Sequence, residues 1–174
     1  MPTLSFQGKT PRIGSGVFIA PTAWVIGDVE IGDNCSIFFG AVLRGDINPI
    51  VLGSRVNVQE HAILHTSRGI GPCVLEDEVT VGHGAVLHGC LVKRGALIGM
   101  NATVLDQAEV GVNAMVAAQA CVTMKTCIPD NMLAAGVPAK VLRPASEKER
   151  AFIDSGVQHY AHLSQEYLKA FSEL

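Results

Sequence analysis

The sequence is poor in aromatic residues, 5%, and in charged residues, 17%. A core of large rings is therefore excluded. No stretch approaches 18 consecutive apolar residues, so no membrane-spanning helix is expected. A formal charge of -3 with a sequence pI near 6.0 supplies no basic footprint, which removes the main driving force for nucleic-acid binding. The start, Met1-Pro2-Thr3-Leu4-Ser5-Phe6-Gln7, lacks the basic residues and apolar run of a secretory leader, and a soluble, cytoplasmic protein with no membrane partner is expected. Five cysteines are an odd number with no C-x-x-C spacing. They fit neither a disulfide framework nor a cysteine zinc site, and read best as small buried thiols. Against these shortages stand 48% apolar residues and 18 glycines in 174 positions. The core must be built from small and branched aliphatic side chains.

Those side chains recur every sixth residue. Ile13, Ile19, Val25, Ile31, Ile37 and Leu43 share one frame; Ile50, Val56 and Ala62 follow after a one-residue slip. Leu75, Val81 and Leu87 come after a further break, and Val92, Ile98, Val104, Val110, Val116, Val122 and Ile128 close the series. Six is not a helical period, but it divides by two, and it suits short extended pieces separated by corners. Three sides would close a triangular coil of about 18 residues, with coils stacked at roughly 4.8 Å in parallel register. Gly14, Gly32, Gly82, Gly99 and Gly111 each follow a column residue, where bulk would be costly and unusual dihedrals are expected. A β-sandwich would place its turns every 8 to 12 residues and fits less well.

Over roughly residues 11–132 this pattern resembles the left-handed parallel β-helix of the hexapeptide-repeat superfamily. The resemblance implies an all-β solenoid, its left hand, and a homotrimer with active sites in the clefts between subunits. Gly136-Val137-Pro138-Ala139-Lys140 is similar to the exit motif of that superfamily. Beyond Pro144, Ser146 with Glu149 makes a capping box, and Ile153, Val157, Tyr160, Leu163, Tyr167 and Phe171 recur at helical spacing. The organisation expected is a β-helix over 1–135 and a C-terminal segment over 136–174 carrying an amphipathic α-helix. Gly156 lies inside that helix and could divide it.

Polar chemistry collects at the breaks in the repeat, where the backbone leaves the prism. The first break holds Arg44-Gly45-Asp46-Ile47-Asn48-Pro49, the next rung holds Asn57-Val58-Gln59-Glu60-His61, and a Gly/Pro loop runs from Thr66 to Val74. Four of the six histidines, His61, His65, His83 and His88, fall around that loop; His159 and His162 lie on the terminal helix. His88 follows the inward Leu87 and points outward, while His65 and His83 stand near corners. Three outward imidazoles suit a divalent ion of zinc type, which takes neutral nitrogens at about 2.0–2.1 Å and keeps a position for water. Surface histidines with no ligand remain the alternative on spacing alone.

The set Arg44-Gly45-Asp46, Asn57-x-Gln59, Ile63-Leu64-His65 and Gly82-His83-Gly84-x-x-Leu87-His88-Gly89 resembles the active-site pattern of γ-class carbonic anhydrases. That resemblance implies reversible hydration of carbon dioxide to bicarbonate. It makes His65, His83 and His88 the metal ligands, with His65 and His88 from one subunit and His83 from its neighbour. Zinc is the implied metal, with ferrous iron or cobalt compatible with the same nitrogens. Arg44 and Asp46 would form an intersubunit ion pair beside the metal, and Gln59, backed by Asn57, would orient the metal-bound hydroxide and the substrate. Tyr160 occupies a place where relatives carry an active-site tyrosine. A carboxamide suits Gln59's role because it can accept from a hydroxide and donate to a developing bicarbonate oxygen. The founding member of that class carries an acidic loop with a glutamate proton shuttle, whereas Thr66-Ser67-Arg68-Gly69-Ile70-Gly71-Pro72-Cys73 contains no carboxylate. Glu60, His61 and Tyr160 are the substitutes available, with Glu60 and His61 otherwise solvated and Tyr160 otherwise packed. Two other classes stay open: an acyl-CoA thioesterase or hexapeptide acyltransferase, and an assembly subunit with little catalysis.

Overall fold

The computed structural model describes residues 2–173; the outermost positions of the two expected segments, Met1 and Leu174, lie outside the described residues. The chain winds into a left-handed parallel β-helix with three faces, followed by one α-helix, α1 (Glu147–Ser172). One face stacks short strands from Phe18–Ile19 to Met115–Val116 and on to Met132–Ala135, and α1 lies on it; we call it the helix face. A second face, bare of any covering element, runs from Trp24 through Ile63–His65, Val86–His88 and Thr103–Val104 to Cys121–Val122. The third carries Arg12–Ile13, Cys73–Leu75, Leu91–Val92, Glu109–Val110 and Cys127–Ile128. Met132–Ala135 turns back in an antiparallel pair with Lys140–Pro144, where the parallel stack ends. Among the described residues no helix is long and apolar enough to cross a membrane.

Parallel register stacks each inward side chain on its equivalent one coil away. On the bare face Leu43, Leu64, Leu87, Val104 and Val122 form one column, and Leu52, Leu75, Val92, Val110 and Ile128 form another on the third face. This corrects the frame drawn from the sequence. Ile50, Val56 and Ala62 are buried, but the column residues of those rungs are Leu52, Val58 and Leu64. The first break therefore lengthens the rung from Leu43 to Leu52 by three residues rather than one. The cause is a second inward position two residues before each column residue, filled almost throughout by Ala, Val or Cys: Ala41, Ala62, Ala85, Ala102 and Ala120 are all buried. Two apolar inward positions per rung let a misplaced frame land on hydrophobic residues.

The corners have their own chemistry. At most corners the third residue after the column residue adopts a left-handed conformation, as in Asn34, Arg55, His61, Glu78, Asn101 and Asn113 with φ between 53° and 63°. The glycines that directly follow column residues do not share it. A Cβ at Gly99 would lie 2.5 Å from the Ala118 nitrogen of the next coil, and one at Gly111 2.5 Å from that of Asp130. These positions need glycine for close approach of stacked backbones, not for dihedral freedom. Of the five free cysteines, Cys35, Cys73 and Cys90 are buried, whereas Cys121 is half-buried and Cys127 exposed because both occupy outward positions.

The helix is continuous through Gly156, opened by the Ser146–Glu149 capping box. Arg143 grips the same Glu149 carboxylate with both guanidinium nitrogens. Tyr167 stacks on Phe18 with centroids 5.0 Å apart and Tyr160 meets Phe38 edge-on at 5.5 Å, so aromatic residues are spent on docking α1 rather than on the prism interior.

Column and corner positions should respond oppositely to size. Leu64→Ala should lower the unfolding free energy by about 2–5 kcal/mol through loss of contact and the cavity left behind. Ala102→Ile should cost about 1–3 kcal/mol because the small inward position cannot take the added volume. Guanidinium unfolding at one protein concentration checks both, and unchanged midpoints would refute the two-column packing.

Candidate metal centre

Every departure from the six-residue step between columns falls on the edge joining the bare face to the third face. The step is nine residues from Leu43 to Leu52, eleven from Leu64 to Leu75 and five from Leu87 to Val92. Arg44, Asp46, His65 and His88 occupy these irregular corners. Register places His88 on His65, coil upon coil. The two are 23 apart in sequence because the loop from Thr66 intervenes, and the spacing of 18 between His65 and His83 does not make a stack. The loop is tied down from the first break, Asn48 Nδ2 donating to the Ser67 carbonyl at 2.6 Å and the Asn48 amide to Thr66 Oγ1 at 3.2 Å.

The stacked rings face each other through His65 Nδ1 and His88 Nε2, 3.1 Å apart. Their other nitrogens point at carboxylates: His65 Nε2 donates to Asp46 Oδ1 at 3.1 Å and His88 Nδ1 to Asp106 Oδ1 at 2.8 Å. With both protons committed outward, two lone pairs confront one another, an arrangement that a cation between them would relieve. Two nitrogens held at about 2.0–2.1 Å on a tetrahedral ion lie about 3.3 Å apart, so the pair fits one divalent metal. Burial lowers the His65 imidazole below its ordinary value and the bond to Asp46 only partly offsets this, which keeps the ring neutral and able to ligate. Burial alone would push the Asp46 carboxyl up, but hydrogen bonds from Arg44 and His65 outweigh it and hold it below its ordinary value.

Arg44 bonds Asp46 at 2.6 Å within the chain. Residues two apart on one strand point to the same side, and the pair closes locally. Asp106 was not picked out from the sequence. Its signal is modest but legible, a carboxylate one 18-residue coil beyond His88.

His83, Gln59, Asn57 and Tyr160 stand elsewhere, toward the edge joining the helix face to the bare face. His83 Nδ1 donates to Glu60 Oε2 at 2.6 Å, so Glu60, still reached by solvent, is also a partner of His83. Gln59 Nε2 donates to Asn57 Oδ1 at 3.2 Å, and Asn57 Nδ2 donates to Thr80 Oγ1 at 2.8 Å, which fixes the orientation of the buried Gln59 amide. Burial and the charge of Glu60 raise the Tyr160 phenol above its ordinary value, while a hydrogen bond with Gln59 draws it down. His61 takes a left-handed corner, its ring over Gly40. Among the described residues of the single chain, no three His, Cys, Asp or Glu side chains gather as a metal site, because His83 is on the far edge of the bare face from His65 and His88.

No protein-family model matches the chain. It is 43% identical over 169 residues to a carbonic anhydrase of Geobacillus kaustophilus, covering 92% of both chains. It is 41% identical over 175 residues to the mitochondrial gamma carbonic anhydrase 2 of Arabidopsis thaliana, covering 95% of this chain and spanning 63% of that relative's length. The solved structure of the BC4754 gene product of Bacillus cereus superposes with a TM-score of 0.93 at 41% identity, covering 96% of this chain and 98% of the other. With repeat, fold and near-full-length identity in agreement, the chain belongs to the gamma carbonic anhydrase family.

Proposed function

We propose that this chain is a cytoplasmic metalloenzyme that hydrates carbon dioxide reversibly to bicarbonate, at centres completed between the subunits of a homotrimer. The observation that carries this reading is the in-register His65–His88 stack, each ring with its outer nitrogen on a carboxylate, at one edge of a face that bears His83 at its other edge. The bare face itself is apolar where it meets solvent. Trp24 and Ile63, 48% and 42% exposed, belong to the same outward ladder as Val42 and Val86. Packing one subunit's ladder edge against the next subunit's opposite edge brings two different edges together, a heterologous contact that closes as a ring, and three subunits suit a triangular prism.

His65 and His88 from one subunit and His83 from the next would hold zinc, with ferrous iron or cobalt fitting the same nitrogens. When bound, such an ion lowers the pKa of its water to about 7, which supplies a nucleophile for an uncharged electrophile at neutral pH. The protein's own contribution is orientation. Asp46, Asp106 and Glu60 each fix one imidazole and set its tautomer. Gln59, its amide pinned through Asn57 to Thr80 and its other amide proton toward the Tyr160 hydroxyl, keeps its carbonyl oxygen for a hydroxide. Arg44, committed to Asp46, supplies positive charge beside the place where the anion forms. The loop after His65 contributes no carboxylate, so export of the proton falls to solvent buffer.

Metal analysis and chelator competition check the ligands. His65→Ala, His83→Ala and His88→Ala should each lose metal, His61→Ala should keep it, and Asp106→Asn should bind it about 10–100-fold more weakly. Full occupancy in any of the three ligand variants would show that the centre is built otherwise. A protein of single-chain mass in light scattering would remove the shared site.

Stopped-flow hydration checks the activity. Turnover should be slow and should rise with added imidazole, and Gln59→Ala should retain metal while losing roughly a hundredfold in rate. Zinc- and anaerobically iron-loaded trimers that never exceed the buffer blank would overturn the assignment.

A further inference from the structure

A cavity of about 250 Å³ lies between α1 and the helix face, opening beside His83. Leu97, Ile98 and Met115 form its floor, Phe152 and Gly156 its roof, and Gln59 and Tyr160 its polar end. A water molecule's share of liquid is about 30 Å³, so a triatomic substrate would fill only a small part of this space. Gly156 is the informative residue. Glycine inside a helix costs roughly 1 kcal/mol relative to alanine, and here neither usual reason for accepting that cost applies. Its φ is not left-handed, and a Cβ built on it would meet no atom within 4 Å. What the glycine does is leave the roof of the cavity empty.

We infer that the cavity beneath α1 binds the apolar chain of an uncharged carbonyl compound of about four to eight carbons, its carbonyl oxygen at the Gln59 amide and Tyr160 hydroxyl. The class follows from the lining. Its walls are aliphatic and aromatic, its hydrogen-bonding groups sit at one end, and no Lys or Arg is among the described lining residues. The groups that would meet the head, the Gln59 amide and the Tyr160 hydroxyl, are themselves uncharged and suit a neutral carbonyl. The inference shares Gln59, His83 and Tyr160 with the proposed centre, and rests on that reading only for what the bound carbonyl would face.

Isothermal titration of the assembled protein with butanamide, pentanamide and hexanamide tests it. Affinity should tighten about fourfold per methylene. Gly156→Leu should weaken hexanamide at least tenfold, with Gly156→Ala between. Ala118→Leu, filling the cavity from the opposite wall, should weaken it likewise and covers the case in which Gly156→Leu fails to fold. A flat chain-length series, or filled variants that bind hexanamide as the parent does, would overturn the inference. Metal content and hydration rates of the same preparations separate the two readings. Hydration without amide binding refutes this inference alone, and chain-length-dependent amide binding by a protein inactive in every metal form supports it while refuting the proposed function.

Discussion

The stacking of equivalent residues in parallel register is the constraint on which the rest depends. Once Leu64 lies on Leu43 and Leu87 on Leu64, a rung cannot gain or lose a residue within a strand without turning its column side chain out of the core. Changes of length are admitted only at corners, where backbone can bulge into solvent. In this chain the three such changes fall on one edge, at successive coils. A position that cannot be altered within the strand thereby becomes a place to gather polar groups at the corner, and the roughly 4.8 Å coil spacing is close enough for two stacked imidazoles to share an ion.

The same periodicity made much of the fold legible from residues alone. Columns from Val92 to Ile128 need no structural knowledge, and neither does the helix announced by Ser146 and Glu149. The rung from Leu43 to Leu52 was misread because a buried residue two places before each column makes Ile50, Val56 and Ala62 as plausible a column as Leu52, Val58 and Leu64. Hydropathy cannot tell the two inward positions apart; size can, since the second is filled by Ala, Cys and Val where corners narrow. The glycines at 99 and 111 were legible as places intolerant of bulk, but the left-handed corners lie elsewhere, on Asn, Gln, Glu, Lys, Arg and His that share no single side-chain signature.

The candidate site was legible in its donors and not in their supports. Histidines at irregular corners invite attention, whereas Asp106 sits in a regular rung and Glu60 in a run that reads as solvated surface. Yet each candidate imidazole has a carboxylate on one nitrogen, at 3.1 Å for His65, 2.6 Å for His83 and 2.8 Å for His88. The supports are invisible in a linear reading because a carboxylate one coil away is 18, 19 or 23 residues distant, according to which corner was lengthened. Only the register converts those separations into contacts.

The division of the proposed ligands between two edges also bears on how specific the assembly must be. A two-fold contact would bring like edges together, setting His65 and His88 against a second such pair and leaving His83 of both chains apart. A ring joins unlike edges, so every centre receives both halves and none is left over. In the proposed ring the bare face between the edges would have two tasks: its apolar ladder of Trp24, Val42, Ile63 and Val86 would supply the burial that holds the ring together, and its fixed width would set how far apart the two halves of each centre stand. The helix face is covered by α1. That seal is close at Phe18 and Phe38, where aromatic rings pack, and open at Gly156, where the cavity reaches toward His83. The helix thus would exclude a competing interface from that face while leaving, beside the proposed centre, the space inferred to take an apolar chain.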